Sequence, residues 1–512
     1  MDIKYNDNNE LEIPIFADID RTIEALKNIF SDWGDIVKKR FELERGSKTI
    51  SVYIIYIDGL ADNEMVERTI TRPLLYEWRN KEDTDIDKIF HVETEAVDII
   101  EVNEMAKAIT GILQGDTAIF IDRYEKALML STKKYPLRSV ENPQKESGLK
   151  GPRDSFNESL RINTALIRRR IKDPKLKLIQ GETGQRTKTV YGIMYMEDLA
   201  RQDLLKRIRK KLDSFVIDGI FDSGMLVHLL EDKWYSPFPQ IQTTERPDKA
   251  ASAILEGRVV LVVDNSPEVI ILPTTLNTFF QASDDYYNRF AVGSFARIIR
   301  YIAAYASVLL PGLYIAITCY YPQVLPTDFL LAIVGARNDV TFPVVVEVLL
   351  MEFLFELLRE AGIRLPGQMG NTIGVVGGLI VGQAAVDAAL VSTIVVIVVA
   401  LTAICSFAIP NEEFASTFRL LKFFMIFLSS ILGLYGILLG ILIIQIHLAS
   451  LESFGIPYML PLAAGSIDNG IEYQDFVVRK PVFSMKMRPI YTKPGKRLRF
   501  AGKSSNKEMG DE

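Results

Sequence analysis

Histidine, cysteine and tryptophan are scarce in this chain, with three, two and three copies among 512 residues. His91, His228 and His447 lie far apart, in no metal-ligand spacing, and read as packing or surface residues. Cys319 and Cys405 both sit in apolar surroundings. That excludes a disulfide framework and fits a reducing or membrane setting. A basic excess is also missing. The net charge of -6 argues against a general nucleic-acid binder. The opening MDIKYNDNNELEIPIF has no basic stretch running into an apolar one, so no secretory signal peptide is expected. GETGQRTK (181–188) approaches the phosphate-loop pattern, but Gln185 and Arg186 follow Gly184 where Lys and Ser or Thr are required. The chain carries no GxSxG elbow and no HExxH helix. No catalytic set assembles, and the expectation is a non-enzyme without a cofactor or metal.

Long apolar runs are absent from the first 290 residues and frequent afterwards. A mean hydropathy of +0.13 in a chain that is 24% charged is the average of these two unlike parts. Residues 1–145 predict an α/β subdomain. DIDRTIEALKNIF starts at an Asp18 or Asp20 cap and spaces Ile23, Leu26, Ile29 and Phe30 as a helix. KTISVYIIYID reads as a strand, helices are expected around 62–79 and 97–113, and DTAIFID with KALMLST reads as a hairpin. After the polar linker RSVENPQKESGLKGPRD, residues 146–290 predict a second α/β subdomain. Its pieces are a helix at SFNESLRINTALIRRRI, strands near 175–180 and 187–195, an amphipathic helix at MEDLARQDLLKRIRKKLD, and two strands in RVVLVVDNSPEVIIL. RRRIKDPKLK (168–177) is expected to be a solvated helix end or a surface for anionic lipid rather than an RNA site. No internal repeat is evident.

Residues 291–450 predict an α-helical transmembrane domain. The runs 298–321, 373–410 and 420–448 are each long enough to cross a bilayer, which takes about 20 apolar residues. Residues 451–512 form a C-terminal segment with a basic tail. That tail, with Arg297 and Arg300 before the first run, puts both ends on the cytoplasmic side and demands an even number of spans. About four are expected, with the segment Phe342–Glu360 counted as a span or a half-helix. Arg419 and Lys422 fit this scheme poorly.

FPVVVEVLLMEFLFELLRE (342–360) is apolar yet carries four glutamates. On a helix Glu352, Glu356 and Glu360 form one stripe, with Glu347 nearly opposite. Charge facing lipid costs about 3 kcal/mol or more at mid-bilayer. The stripe therefore faces water, protein or a cation, and a ring of such helices would line a cation path. Glu352 is the strongest candidate, followed by Glu356. Glu347 has the alternative of capping a helix or pairing with Arg337. Asp387, in GQAAVDAALVS, is open to a structural pairing or an ion path. Gly374, Gly378 and Gly382 share one helix face, and Gly436 with Gly440 repeats the spacing. Such small-residue stripes let helices approach closely.

Four separated blocks carry a resemblance: GPRDSFNESLRINTALIRRRIKDPKLK (151–177), SPFPQIQTTERPDKAASAILEGRVVLVVDNSPEVIILPTTL (236–276), SDDYYNRF (283–290) and LPGQMGNTIGVVGGLIVGQAAVDAALVS (365–392). Together, and in this order, they resemble the A subunit of GerA-type spore germination receptors over residues 20–485. The resemblance implies a place in the inner membrane of the bacterial spore and two cytoplasmic α/β subdomains. It also implies a permease-like B subunit and a lipoprotein C subunit as partners. Assembly as a homo-oligomer, a pentamer, into a nutrient-gated cation channel is expected on the same ground. The alternative is a secondary transporter with a regulatory cytoplasmic region, for which Asp387 among glycine-rich helices would serve as a substrate or ion site.

Overall fold

The computed structural model describes residues 13–45, 48–72, 99–134, 146, 150–364, 378, 380–462 and 475–499. The expected helix over 73–79, Gly374 and the tail beyond Arg499 lie outside these residues.

The first unit opens with α1 (Ile19–Ile29), capped by the Asp18 carboxylate on the Asp20 amide. It is followed by the hairpin β1 (Ile36–Arg45) and β2 (Lys48–Ile57). Then come β3 (Ile99–Val102), α2 (Met105–Leu113), β4 (Thr117–Ile121) and β5 (Ala127–Leu130). The strands run antiparallel in the order β1-β2-β4-β5-β3. The helix expected over 97–113 therefore begins only at Met105. Ile99–Val102 pair with β5 instead, because β-branched residues there find a sheet edge to complete. Near 62, a short helix from Asn63 passes into a π turn over Glu67–Thr71.

The second unit comprises α3 (Leu160–Arg170), the hairpin β6 (Leu176–Thr183) and β7 (Thr189–Met196), and α4 (Gln202–Leu212). It continues with α5 (Ser223–Leu230), β8 (Gln242–Thr244), α6 (Pro247–Leu255), β9 (Val259–Val263) and β10 (Val269–Leu272). The order is β6-β7-β9-β10-β8. This is the order of the first sheet, built from the same succession of helix, hairpin, helices around a short strand, and hairpin. The repeat is topological and leaves no trace in the residue pattern. GETGQRTK falls in the β6–β7 hairpin turn.

VVLVV in β9 is apolar throughout because both faces of its sheet are covered. Val260 and Val262 pack with Leu166 of α3 and Ile254 of α6, while Val259, Leu261 and Val263 pack with Leu204 and Ile208 of α4.

The two units are fastened along the edge of β6. The Gly34 amide donates to the Leu178 carbonyl and the Leu178 amide to the Asp32 carbonyl, both at 3.0 Å. Trp33 Nε1 donates to the Pro174 carbonyl at 3.1 Å. Arg168, 2% exposed, forms a two-pronged ion pair with Asp35 and stacks 3.5 Å from the centre of the Trp33 ring. Arg170 binds the Asp154 carboxylate at 2.6 Å. Arg168, Arg170 and Lys177 are thus engaged within the protein, which corrects the expectation of a solvated or lipid-facing end for them, while Arg169 and Lys172 are exposed as expected.

The helical part contains α7 (Phe290–Tyr320), α8 (Thr327–Ala336), α9 (Val344–Arg364), α10 (Thr393–Phe407), α11 (Glu412–Leu432) and α12 (Leu434–Ala449). Among the described residues, α7 and α11 are long and apolar enough to cross a membrane, while α8, α10 and α12 are shorter apolar helices. The apolar run at 420–448 is divided at Gly433, whose φ of 59° and ψ of -133° suit glycine alone. Large apolar side chains such as Phe295, Ile302, Phe353, Ile404, Phe427 and Leu438 stand more than half exposed on these helices. Such a surface is suited to lipid or to other chains.

Candidate functional site

α9 carries the four glutamates. Glu352 is 1% exposed and receives Lys422 Nζ of α11 at 2.5 Å on Oε2. The same Nζ lies 3.2 Å from Glu356 Oε1. Glu352 Oε1 has no hydrogen-bond partner among the described residues. Arg419 approaches Glu356 at 3.9 Å and Glu412 at 3.3 Å, and Arg359 binds Glu412 at 2.7 Å. The cations that fitted the sequence reading poorly are therefore the partners of the acidic stripe. One turn of α11 places Lys422 inward beside Thr417, Met425 and Ile426, so its charge stays off the lipid face.

Glu347 is fully buried and does two jobs. Its Oε1 accepts from Arg337 at 3.1 Å, and its Oε2 accepts from the Ser392 amide at 2.9 Å. Ser392 is the cap of α10, so Glu347 satisfies the start of that helix with a favourably placed negative charge. Asp387 is exposed and accepts a bond from Gln383 at 2.9 Å, rather than being buried. The four acids are thus not gathered at one point: Glu352 and Glu356 share Lys422, while Glu347 and Asp387 have other partners.

A Cβ at Gly436 would collide with the Leu428 carbonyl, and one at Gly440 with the Met425 thioether. These two glycines let α12 lie against α11. A Cβ at Gly382 would make ordinary contact with Val396 at 3.7 Å, and one at Gly378 would meet no described atom within 4 Å.

The helices join the second unit through groups to which sequence reasoning gave no role. Phe238, from SPFPQIQ, packs on Phe414 and Phe418 of α11. Phe279 stacks on Phe414 with ring centres 5.1 Å apart. Thr417 Oγ1 donates to the Pro237 carbonyl at 2.5 Å, and Tyr458 to that of Pro239 at 2.8 Å. Asp285, from SDDYYNRF, is 1% exposed and lies 3.2 Å from Arg297 and 2.8 Å from Arg300 of α7. Arg297 also binds Asp475 at 2.7 Å, and Ser294 Oγ donates to the Arg479 carbonyl at 3.1 Å. The arginines read from the sequence as topology signals therefore lock α7 to the C-terminal segment. That segment continues onto the second unit, where the Lys493 amide donates to the Leu199 carbonyl at 2.9 Å and Thr492 Oγ1 to the Glu256 carbonyl at 2.7 Å. The visible signal for these contacts was the pair of sequence blocks themselves; the partners of Pro237 and Pro239 lie 180 and 219 residues away, whereas those of Asp285 lie 12 and 15 residues on.

Two sheet units are pinned by aromatic packing and ion pairs to apolar helices, two of them long and apolar enough to cross a membrane. The chain belongs to the GerA family: the model described as Bacillus/Clostridium GerA spore germination protein matches residues 24–491. It is similar to spore germination protein A1 of Bacillus subtilis, 39% identical over 448 residues, covering 88% of this chain and 91% of that protein. A second relative, the uncharacterized membrane protein YfkQ of the same organism, is 37% identical over 487 residues and covers 95% and 93%. The crystal structure of the N-terminal domain of the A subunit of the Bacillus megaterium spore germinant receptor GerK3 is 27% identical. It covers 51% of this chain and 96% of that one, with a TM-score of 0.41.

Proposed function

We propose that this chain is the A-type subunit of a receptor that starts spore germination, acting with permease-like and lipoprotein partners in the inner spore membrane. The observation that carries this reading is the family match over residues 24–491, which takes in both sheets, the acidic helix and the C-terminal segment. We further infer that copies of the chain, five in the expected pentamer, assemble around an ion path that opens when a partner binds nutrient. Opening of this kind requires that nutrient bind the open arrangement more tightly than the closed one. Glu352 and Glu356 are our choice for the acids of that path, with Glu347 and Asp387 beside it. In the single chain Lys422 occupies the carboxylates, so opening exchanges an internal cation for a passing one.

Spores lacking the chain, compared with spores in which it is restored, test the role. Potassium release that returns with the chain, for some nutrients only, supports it, and identical release in both strains removes it. Glu352→Gln tests the path. Slower potassium release or altered ion selectivity is expected, and unchanged conductance and selectivity take Glu352 out of it.

A further inference from the structure

The loop after α5 carries two large rings that the protein leaves uncovered. Trp234 is 83% exposed and Tyr235 62%. The rings meet edge to face with centres 6.0 Å apart, and Tyr235 lies 6.4 Å from the ring of His447, near the end of α12. Ser236 Oγ is 2.8 Å from His447 Nε2, and Lys233 Nζ donates to Ser450 Oγ at 3.0 Å. The loop is therefore tied to the end of α12 on both sides of the aromatic pair. Along α12, Leu438, Leu442 and Ile446 recur at helical spacing and are each more than half exposed. This apolar stripe runs toward the end at which Trp234 and Tyr235 are held.

A cationic face lies alongside. In α4 Leu204, Leu205, Ile208 and Leu212 are buried, while Lys206, Arg207 and Lys210 are exposed. No ion pair engages those three cations among the described residues. Two contacts place α4 beside the loop and the end of α12. Lys211 Nζ binds Asp232 at 2.7 Å. A Cβ at Gly455, just past α12, would collide with the Arg207 guanidinium. Tryptophan and tyrosine, each with an apolar ring and a polar edge, are favoured where hydrocarbon meets water. Lysine and arginine are drawn to the anionic headgroups at the same level.

We propose that this edge of the second unit rests on the membrane surface, with Trp234 and Tyr235 in the headgroup layer and Lys206, Arg207 and Lys210 against anionic lipid. Lipid is the occupant that fits, because the rings continue the exposed apolar face of a helix and the cations beside them match a negative surface. The contact fixes the tilt of the second unit over the bilayer, in addition to the ties that Phe238 and Asp285 make to α11 and α7. It rests on the helices lying in a bilayer, and needs neither the ion path nor a nutrient.

Reconstitution of the full chain into vesicles tests it, with lipids brominated near the headgroup as quenchers of tryptophan. Flotation with the vesicles shows that the helices are inserted, and melting curves show that each variant is folded. In vesicles containing phosphatidylglycerol the brominated lipid is expected to dim the emission, and Trp234→Phe to remove more than half of the dimming. The triple variant Lys206→Glu, Arg207→Glu, Lys210→Glu is expected to bring the dimming down to that in pure phosphatidylcholine vesicles, where the same substitutions change nothing. Equal dimming in an inserted Trp234→Phe protein overturns the proposal and leaves the rings to water or to another protein. Equal dimming of the parent chain in anionic and neutral vesicles overturns it too. A chain that fails to float overturns the membrane reading beneath the proposal as well, whereas an inserted chain with Trp234 out of reach of lipid leaves that reading standing.

Discussion

Lys422 reaches Glu352 and Glu356 from the helix next to theirs, and the three groups are more than the sum of their pairs. Lys422→Met leaves a buried carboxylate with no cation. Breaking such a pair from one side costs about 3–5 kcal/mol. Adding Glu352→Gln to Lys422→Met is expected to recover most of that loss, since only the half-buried Glu356 then remains, with Arg419 nearby. Thermal unfolding of the three proteins in detergent measures the coupling, and additive losses would mean that the residues do not act as a unit. The spacing of the glutamates announced an acidic stripe because helical neighbours three or four apart can be read along the chain. Their neutralisation was not legible. Lys422 is 70 residues away, and only packing of α9 against α11 brings it there. The same holds for Arg297, whose partner Asp475 lies 178 residues further on.

Among the elements, the pair α11 and α12 shows what glycine does at a helix contact. Gly436 faces the Leu428 carbonyl, a backbone atom that cannot swing aside, whereas Gly440 faces the flexible Met425 side chain. Gly436→Ala is therefore expected to cost at least about 1–3 kcal/mol by overpacking, and Gly440→Ala less. Comparison of melting temperatures decides it; equal losses would show that the helices simply move apart. The glycine spacing was visible in the sequence, but the break at Gly433 was not, since an apolar run of that length reads as one span. The strand Ile99–Val102 escaped for a related reason. A four-residue edge strand is too short to show its own period, and the helical pattern beginning at Met105 masks it. The central strands and amphipathic helices were legible because burial on one face or both imposes a period on many residues at once.

Across the whole molecule, two units of identical strand order are held edge to loop and then tied to the helices. Asp35→Asn leaves Arg168 buried against Trp33 without its counter-charge, and a loss of about 3–5 kcal/mol in the docking of the units is expected. Hydrogen exchange should report faster opening of Leu160–Arg170 and of the 31–35 loop, while the sheet core stays protected. Unaltered exchange at both places would show that the pairing of Gly34 with Leu178 suffices alone. The strands and helices on either side of the linker were legible one by one, whereas the repeat of strand order was not, because topology can persist when residue patterns have diverged.

The C-terminal segment has one more consequence, and it concerns time. Tyr491 accepts a bond from Arg258 and Thr492 donates one to the Glu256 carbonyl, yet both follow β10 by about 220 residues, with the described apolar helices in between. At roughly 5–20 residues per second of synthesis, the second unit waits on the order of 10–45 s for its last piece. During that interval the apolar helices leave the ribosome while the soluble sheet they will rest on is still open at one side. These bonds can form only after the helices are made, so their presence certifies that the chain has been synthesised through its apolar part.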